Sequence, residues 1–280
     1  MPKLTKKGVF ELFSEGKSLA GKDLTGLNLN RAVLSGVDFS ESDLRGTNFR
    51  GANLSGSDLS NSKLSEANLS EANLRESNVS GADLSGAYLM ESRLFGADFT
   101  GSDLTGSNMS GAHMTGGVCL DGASLVGVNL RGANMTGGLS RNADFTVALM
   151  RGINLTDADL SGSDLSGAIL NGGTFERANM TGTKMRESIL NAANLEKARL
   201  DNADLTEASL RRCVLRGASL QMARLCGAVL VSVDFQDADL LLADLTGADL
   251  RGALLLGANM KWTDLSKTEF DDNGFGASSQ

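Results

Sequence analysis

Few side chains in this 280-residue sequence have the chemistry of a catalyst. There is a single histidine, His113, and three scattered cysteines, Cys119, Cys213 and Cys226. Nucleophilic catalysis needs a base held beside the nucleophile, and neither Cys119 nor Cys226 has such a partner in its neighbourhood. No CxxC or Cys/His cluster is present, so neither a zinc site nor a disulfide framework is indicated. The 34 glycines spell no phosphate-binding loop. No catalytic, cofactor-binding or metal-ligating residue is assigned, and no cofactor is expected. The remaining polar chemistry is a long series of Asp and Asn residues, and its spacing directs attention to the elements that must carry it.

From Leu19 an apolar residue recurs at every fifth position: Leu24, Leu29, Leu34, Phe39, Leu44 and onward to Met114. After the Gly-rich run 115–119 the series resumes one residue late at Leu120 and continues to Phe270. A small residue lies two positions before almost all of them, for example Ala52, Ser57, Ala67, Ala203, Ala238 and Ala243, and the pattern dissolves at the N-terminus, where Lys22 and Leu27 take that place. Asp or Asn mostly fills the position between. A period of five fits neither the 3.6 of a helix nor the 2 of a strand. A chain that turns a corner after every segment can instead aim each Leu and its small neighbour at a common axis. Aromatics are only 5 % of residues, so the apolar mass comes from Leu, Ala and Met.

The consensus A(D/N)LxG, in blocks such as GANLSGSDLS and ADLTGADLRG, resembles the pentapeptide-repeat family over most of the chain. The resemblance implies an all-β fold, a right-handed quadrilateral β-helix with four segments per coil and about 12–13 coils in all. Coils stacked at strand spacing hydrogen-bond above and below, and proline in the body would orphan an acceptor. The lone proline is Pro2. Residues 1–18 are expected to form a short amphipathic cap helix, with Val9, Phe10, Leu12 and Phe13 covering the first coil's open edge. The solenoid is expected over 19–270, with a one-residue insertion bulging near 115–119, and a polar tail over 271–280. Ser140 stands where a Leu belongs and marks a slack coil.

The 20-residue coil implied by the family lets the outward positions be read as columns. One holds Asp23, Asp43, Lys63, Asp83, Asp103, Ser124, Asp144, Asp164, Lys184, Asp204, Arg224, Asp244 and Asp264, nine of thirteen being Asp. It reads either as an acidic surface or as hydrogen-bonded ladders that support the corners. A neighbouring column passes from Asn28, Asn48, Asn68, Tyr88, Asn108 and Asn129 to Leu149, Ile169, Ile189, Ser209 and Val229. Its aliphatic half, Leu149, Ile169, Ile189 and Val229, is a candidate partner stripe. Met222, Leu242 and Trp262 stack at one corner with Leu241 and Leu256 nearby, a candidate interface for a C-terminally joined homodimer. The alternative is that Phe275 and the tail fold back over that end. His113 takes an outward Asp/Asn position and reads as a surface substitution; Cys213 takes an inward small position and reads as packing. A basic belt from Arg177 to Arg224 is interleaved with acids and reads as a salt-bridged surface.

A net charge of −8 argues against a nucleic-acid-binding surface. No apolar run is long enough for a secretory leader or a membrane span, so a cytoplasmic protein is expected. The function expected is a non-enzymatic scaffold that displays side-chain columns to a protein partner. The resemblance implies an alternative, because some family members bind DNA gyrase by imitating duplex DNA and so modulate quinolone sensitivity. Charge density opposes that: DNA carries one charge per ~1.7 Å of axis, whereas here 34 acidic side chains are offset by 26 basic ones.

Overall fold

A computed structural model of the chain describes residues 3–271. Every five-residue segment ends in a corner, and one corner stands for all. The Ala52 N–H donates to the Phe49 carbonyl at 2.8 Å across Arg50 and Gly51, and Gly51 takes a φ of 65°. The position before each inward Leu pairs with its equivalent one coil on in parallel bridges: Asp23 with Asp43, Asn28 with Asn48, Val33 with Asn53, Asp38 with Asp58. Those four bridges are the four sides of one coil, and their common offset of 20 residues is the coil length. Each rung is tied in both directions. The Leu24 N–H donates to the Asp43 carbonyl and the Asp43 N–H donates to the Lys22 carbonyl, both at 2.8 Å.

The inward positions are dry. Phe49, Leu54, Leu59 and Leu64 are fully buried, as are Ala52 and Ala67 beside them. At most positions where Ser replaces the small Ala, its hydroxyl donates to the carbonyl of the preceding apolar residue, as Ser57 does to Leu54 and Ser62 to Leu59, both at 2.6 Å. A buried hydroxyl is thereby satisfied without a water. Each large side chain contributes ~1.5–3 kcal/mol by burial, against ~1–2 kcal/mol of backbone ordering per residue. A lone coil of 20 residues cannot close that gap, so stacking is the source of stability.

The chain divides into two compact units, Met1–Asp144 and Phe145–Gln280. The first opens with α1 (Lys6–Ser14), whose N-cap Thr5 accepts a hydrogen bond from the Gly8 N–H through Oγ1 at 3.1 Å. Val9 is fully buried and Phe10, Leu12 and Phe13 are half-buried, the apolar side expected from the sequence. Lys3 bridges to Asp23, and the inward residues of the first coil, Leu19, Leu24, Leu29 and Leu34, are as dry as those in the middle of the unit. The insertion falls at Thr115–Gly116–Gly117, and the bridges that span it shift to an offset of 21, Asp98 with Cys119 and Asp103 with Ser124, before Cys119–Leu139 returns to 20. Gly116 and Gly117 take φ of 74° and 87°. A β-carbon on Gly116 would lie 2.0 Å from Phe95 Cε2, so both the backbone and the space demand glycine there. Ser140 is buried and its hydroxyl, like those of Ser102 and Ser107, has no hydrogen-bond partner.

In the second unit the bridges keep the offset of 20, from Leu149–Ile169 to Asp249–Glu269. Its last coil differs from the others: Leu255, Met260, Leu265 and Phe270 face inward yet are only half-buried. The tail beyond Asp271, with Phe275, lies outside the described residues.

Replacing Leu205, which is fully buried, by Ala is expected to destabilise the fold by about 2–5 kcal/mol. Val147 is β-branched, 53 % exposed and held at a φ of 53°. Val147→Gly is expected to stabilise by about 1 kcal/mol through relief of left-handed strain. Denaturant unfolding measures both; a loss under 1 kcal/mol for Leu205→Ala would contradict the core described here.

Candidate interaction surfaces

The acidic column is built into the corners. In the first unit Asp23, Asp43, Lys63, Asp83, Asp103, Ser124 and Asp144 bridge in succession; in the second, Asp164, Lys184, Asp204, Arg224, Asp244 and Asp264 do so. The carboxylates accept from the backbone two residues on: Asp23 from Thr25 at 3.0 Å, Asp83 from Ser85 at 3.0 Å, Asp103 from Thr105 at 2.9 Å. Asp164, Asp204, Asp244 and Asp264 repeat this with Ser166, Thr206, Thr246 and Ser266. Amide rows do the same and also link coils, as where Asn73 Nδ2 donates to Asn53 Oδ1 at 3.0 Å. These are Asx-turn supports.

Hydrogen bonding holds several of these carboxyls below the ordinary carboxylate range. For Asp23 the chief cause is the Thr25 N–H, then its hydroxyl; for Asp43 it is the Arg45 side chain; for Asp264, the Ser266 hydroxyl. At Asp164 and Asp204 burial pushes the other way, and bonds from Ser166 and Thr206 outweigh it. The column is thus tied down on one side and interrupted by cations on the other: Arg45 forks onto Asp43 at 2.8 and 2.7 Å, and Lys184 lies 3.5 Å from Asp164.

The chemistry-bearing side chains fall where the repeat puts them. His113 stands in an outward row between Arg93 and Asn134, with Nε2 3.9 Å from Glu91. Cys213 is buried, its thiol donates to the Leu190 carbonyl at 3.0 Å, and burial pushes its pKa up to about 12. Cys226 is half-buried and its thiol donates to Asp244 Oδ2 at 2.9 Å. Burial, then that carboxylate, keeps it protonated, the opposite of what a nucleophile needs. Cys119 lies 3.2 Å from the Thr100 hydroxyl. Among the described residues no cluster of His, Cys, Asp or Glu could hold a metal ion, and no helix is long and apolar enough to cross a membrane.

Leu149, Ile169, Ile189, Ser209 and Val229 bridge in succession on one face of the second unit. All five are half-buried at outward positions, so the aliphatic part forms an unbroken row from Leu149 to Ile189. Met222, Leu242 and Trp262 occupy one corner column in the same unit, 55, 48 and 68 % exposed. Each sits in the left-handed backbone region, with φ of 57°, 61° and 59°. That conformation costs a side-chain-bearing residue roughly 1–2 kcal/mol relative to glycine. Lys261 Nζ lies 4.2 Å from the Trp262 ring centroid. Leu256 is exposed and Leu241 half-buried.

Sequence reasoning missed four exposed apolar side chains, Val147 of the corner described above among them. Leu254 stands at an outward row position, legible as the first leucine of Ala-Leu-Leu-Leu-Gly. Val33 also takes a row position, 63 % exposed. Phe95 takes a corner, under the Arg75 guanidinium at 4.7 Å, which no local pattern signals. The basic belt is salt-bridged in part: Arg177 with Asp157 and Glu176, Arg186 with Asp204, Lys197 with Glu196, Arg199 with Asp201, Arg216 with Asp234, whereas Arg211, Arg212 and Arg224 are in no ion pair among the described residues.

Comparison with known proteins agrees with the repeat geometry. The family model described as pentapeptide repeats matches eight times, over residues 18–56, 52–89, 92–137, 116–146, 141–177, 174–206, 208–240 and 243–272. Among solved structures, HetL of the cyanobacterium Nostoc sp. strain PCC 7120, a pentapeptide repeat protein involved in heterocyst differentiation regulation, is 27 % identical. The alignment covers 96 % of this chain and 98 % of that one, with a TM-score of 0.33. A pentapeptide repeat protein of the Arabidopsis thaliana thylakoid lumen is 38 % identical over 35 % of this chain and 68 % of its own, with a TM-score of 0.34. QnrB1, a plasmid-mediated fluoroquinolone resistance protein, is 18 % identical over 72 % of this chain and 90 % of its own, with a TM-score of 0.42. No curated protein matches the chain in sequence.

Two solution tests follow from the site geometry. Carboxyls whose folded pKa is depressed contribute stability that is present above their unfolded value, near 3.8, and lost as pH falls through the lower folded values. Unfolding free energy is therefore expected to hold from neutral pH to about that value and to decline below it; a decline beginning near pH 6 would contradict the assignment. Native alkylation at mildly alkaline pH should spare Cys213 and be slowed at Cys226, with both reacting freely after unfolding.

Proposed function

Because this chain belongs to the pentapeptide repeat family, whose members fold as right-handed quadrilateral β-helices, we propose that it is a non-enzymatic scaffold that binds a protein partner through its outward rows. The observation that carries this is the aliphatic row Leu149, Ile169 and Ile189, continued at Val229, in positions that the repeat mostly fills with Asp and Asn. A row position is half-wetted in the isolated chain, so aliphatic side chains there recover only part of their burial from the fold and are stabilised further by a partner that removes them from water. The inward positions are filled by packing side chains, and the cysteine thiols Cys213 and Cys226 are held protonated, which speaks against a nucleophilic centre.

DNA mimicry, as in a gyrase ligand, is less well supported. The acidic rows are committed to corner hydrogen bonds and broken by Lys63, Lys184 and Arg224. An imitation of duplex DNA needs an unbroken field.

A second contact completes the proposal, a homodimer through the end of the second unit that carries Met222, Leu241, Leu242, Leu256 and Trp262. Its support is the exposure of Met222, Leu242 and Trp262 in one corner column, and the half-burial of Leu255, Met260, Leu265 and Phe270 in the last coil. Large apolar residues exposed in one column are the kind of side chain found at the core of an interface.

Affinity capture with the full chain from host extract is expected to return a protein partner that is lost when Ile169 and Ile189 are changed to Lys; retention of every bound protein by that variant sinks the scaffold reading. Light scattering is expected to give a dimer for the wild type and a monomer for Trp262→Glu. A monomeric wild type removes the C-terminal contact.

A further inference from the structure

The face that carries the aliphatic row has walls of a definite kind. At the corners on one side, Gly152 and Gly172 have open space where a β-carbon would stand, and Ala192 follows them in the column. That side also carries Arg151, Arg211 and Arg212, exposed and in no ion pair among the described residues. The opposite corner carries Glu187 and Glu207, likewise exposed and outside every ion pair among the described residues. Elsewhere in the belt most arginines have found carboxylates. Here, apart from Arg186, which is beside Glu187 and turned to Asp204, cations and anions are left apart on opposite edges of an apolar track.

From this we infer that the face receives an amphipathic α-helix of the partner, laid along the row, with acidic side chains toward the arginine edge and basic ones toward the glutamate edge. The inference rests on reading the row as the partner surface. Spacing selects the helix. Successive rungs recur at about 4.8 Å, and a helix returns an apolar residue to one face about every 5.4 Å. The drift is about 0.6 Å per rung, or roughly 2.4 Å over the four steps from Leu149 to Val229, half a rung. An extended strand presents same-side residues about every 6.8 Å and slips by roughly 8 Å over the same distance, more than a full rung. A second copy of this chain would match the rungs. However, the track is only about 20 Å long by 10 Å wide, roughly 200 Å² per side, where a stable dimer takes ~800 Å² per partner. A helix held transiently, oriented by charge at both edges, does not need that area.

The test uses the full-length chain and a displayed library of peptides of about 20 residues, long enough to pass the whole row at 1.5 Å per residue. Half of the library is patterned for amphipathic helices and half for alternating strands, with charges randomised. Expected is enrichment of helical sequences that carry Asp or Glu on one flank and Lys or Arg on the other. Their affinity should fall about tenfold or more on Arg211→Glu with Arg212→Glu, and return when the peptide's acidic flank is made basic. Those corner residues are exposed, so the variant keeps its fold; circular dichroism and melting confirm it. Enrichment of the strand half, loss of flank preference, insensitivity to the arginine reversal, or self-association through the row overturns the inference. A host partner that is lost on Ile169→Lys yet binds by a strand defeats the helix and leaves the scaffold standing. Indifference of every ligand to Ile169→Lys defeats both.

Discussion

The structure depends on one repeated exchange of hydrogen bonds between coils. The N–H of each inward Leu or Phe donates to the carbonyl of an outward residue 19 positions on, as Leu24 does to Asp43, and the outward N–H donates back to the coil before. Such bonds are individually modest but costly to leave unmade in a dry interior. They fix where every side chain goes. Once a rung is tied on both sides, the residue between the two donors faces out and its neighbours face in. The apolar ladder is then a consequence as much as a cause, since only side chains near the size of Leu and Ala fit so narrow an interior.

That constraint explains how much was legible beforehand. The fifth-position series gave the inward set, and burial of Leu54, Leu84 and Leu205 agrees with it. The insertion was readable because the series resumes a residue late, and two glycines showed which corner absorbs it. The cap helix was readable because α1 sits before the repeat begins, where an ordinary helical period can show. What escaped was contact between corners. Nothing in a five-letter period says that Arg75 lies over Phe95, or that the ring occupies the space a side chain at residue 116 would need. Equally, sequence leaves an Asp row ambiguous between surface and support; only the Thr25, Ser85 and Thr206 hydrogen bonds resolve it toward support.

The outward surface is where function is free to vary. Substituting Asn for Asp in a row preserves the corner bond, and Ser for Ala in the interior preserves packing, so both are nearly silent for the fold. An aliphatic residue in a row forfeits the side-chain acceptor, as Ile169 and Ile189 do. A large apolar residue at a left-handed corner adds backbone strain, as Met222, Leu242 and Trp262 do. These are the places where the chain departs from what its own architecture favours, and they cluster in the second unit.

The corner at 115–117 shows that a solenoid of this kind keeps two separate clocks. Its interior counts in fives: a gain or loss of one segment leaves every downstream Leu dry. Its exterior counts in twenties, because the same event turns each later row onto the adjacent side. A single extra residue, swallowed by two glycines, disturbs neither count. Lineages of this chain can therefore shorten or lengthen freely by whole coils. A change of one segment would leave a protein just as stable, with its binding address rotated by a quarter turn.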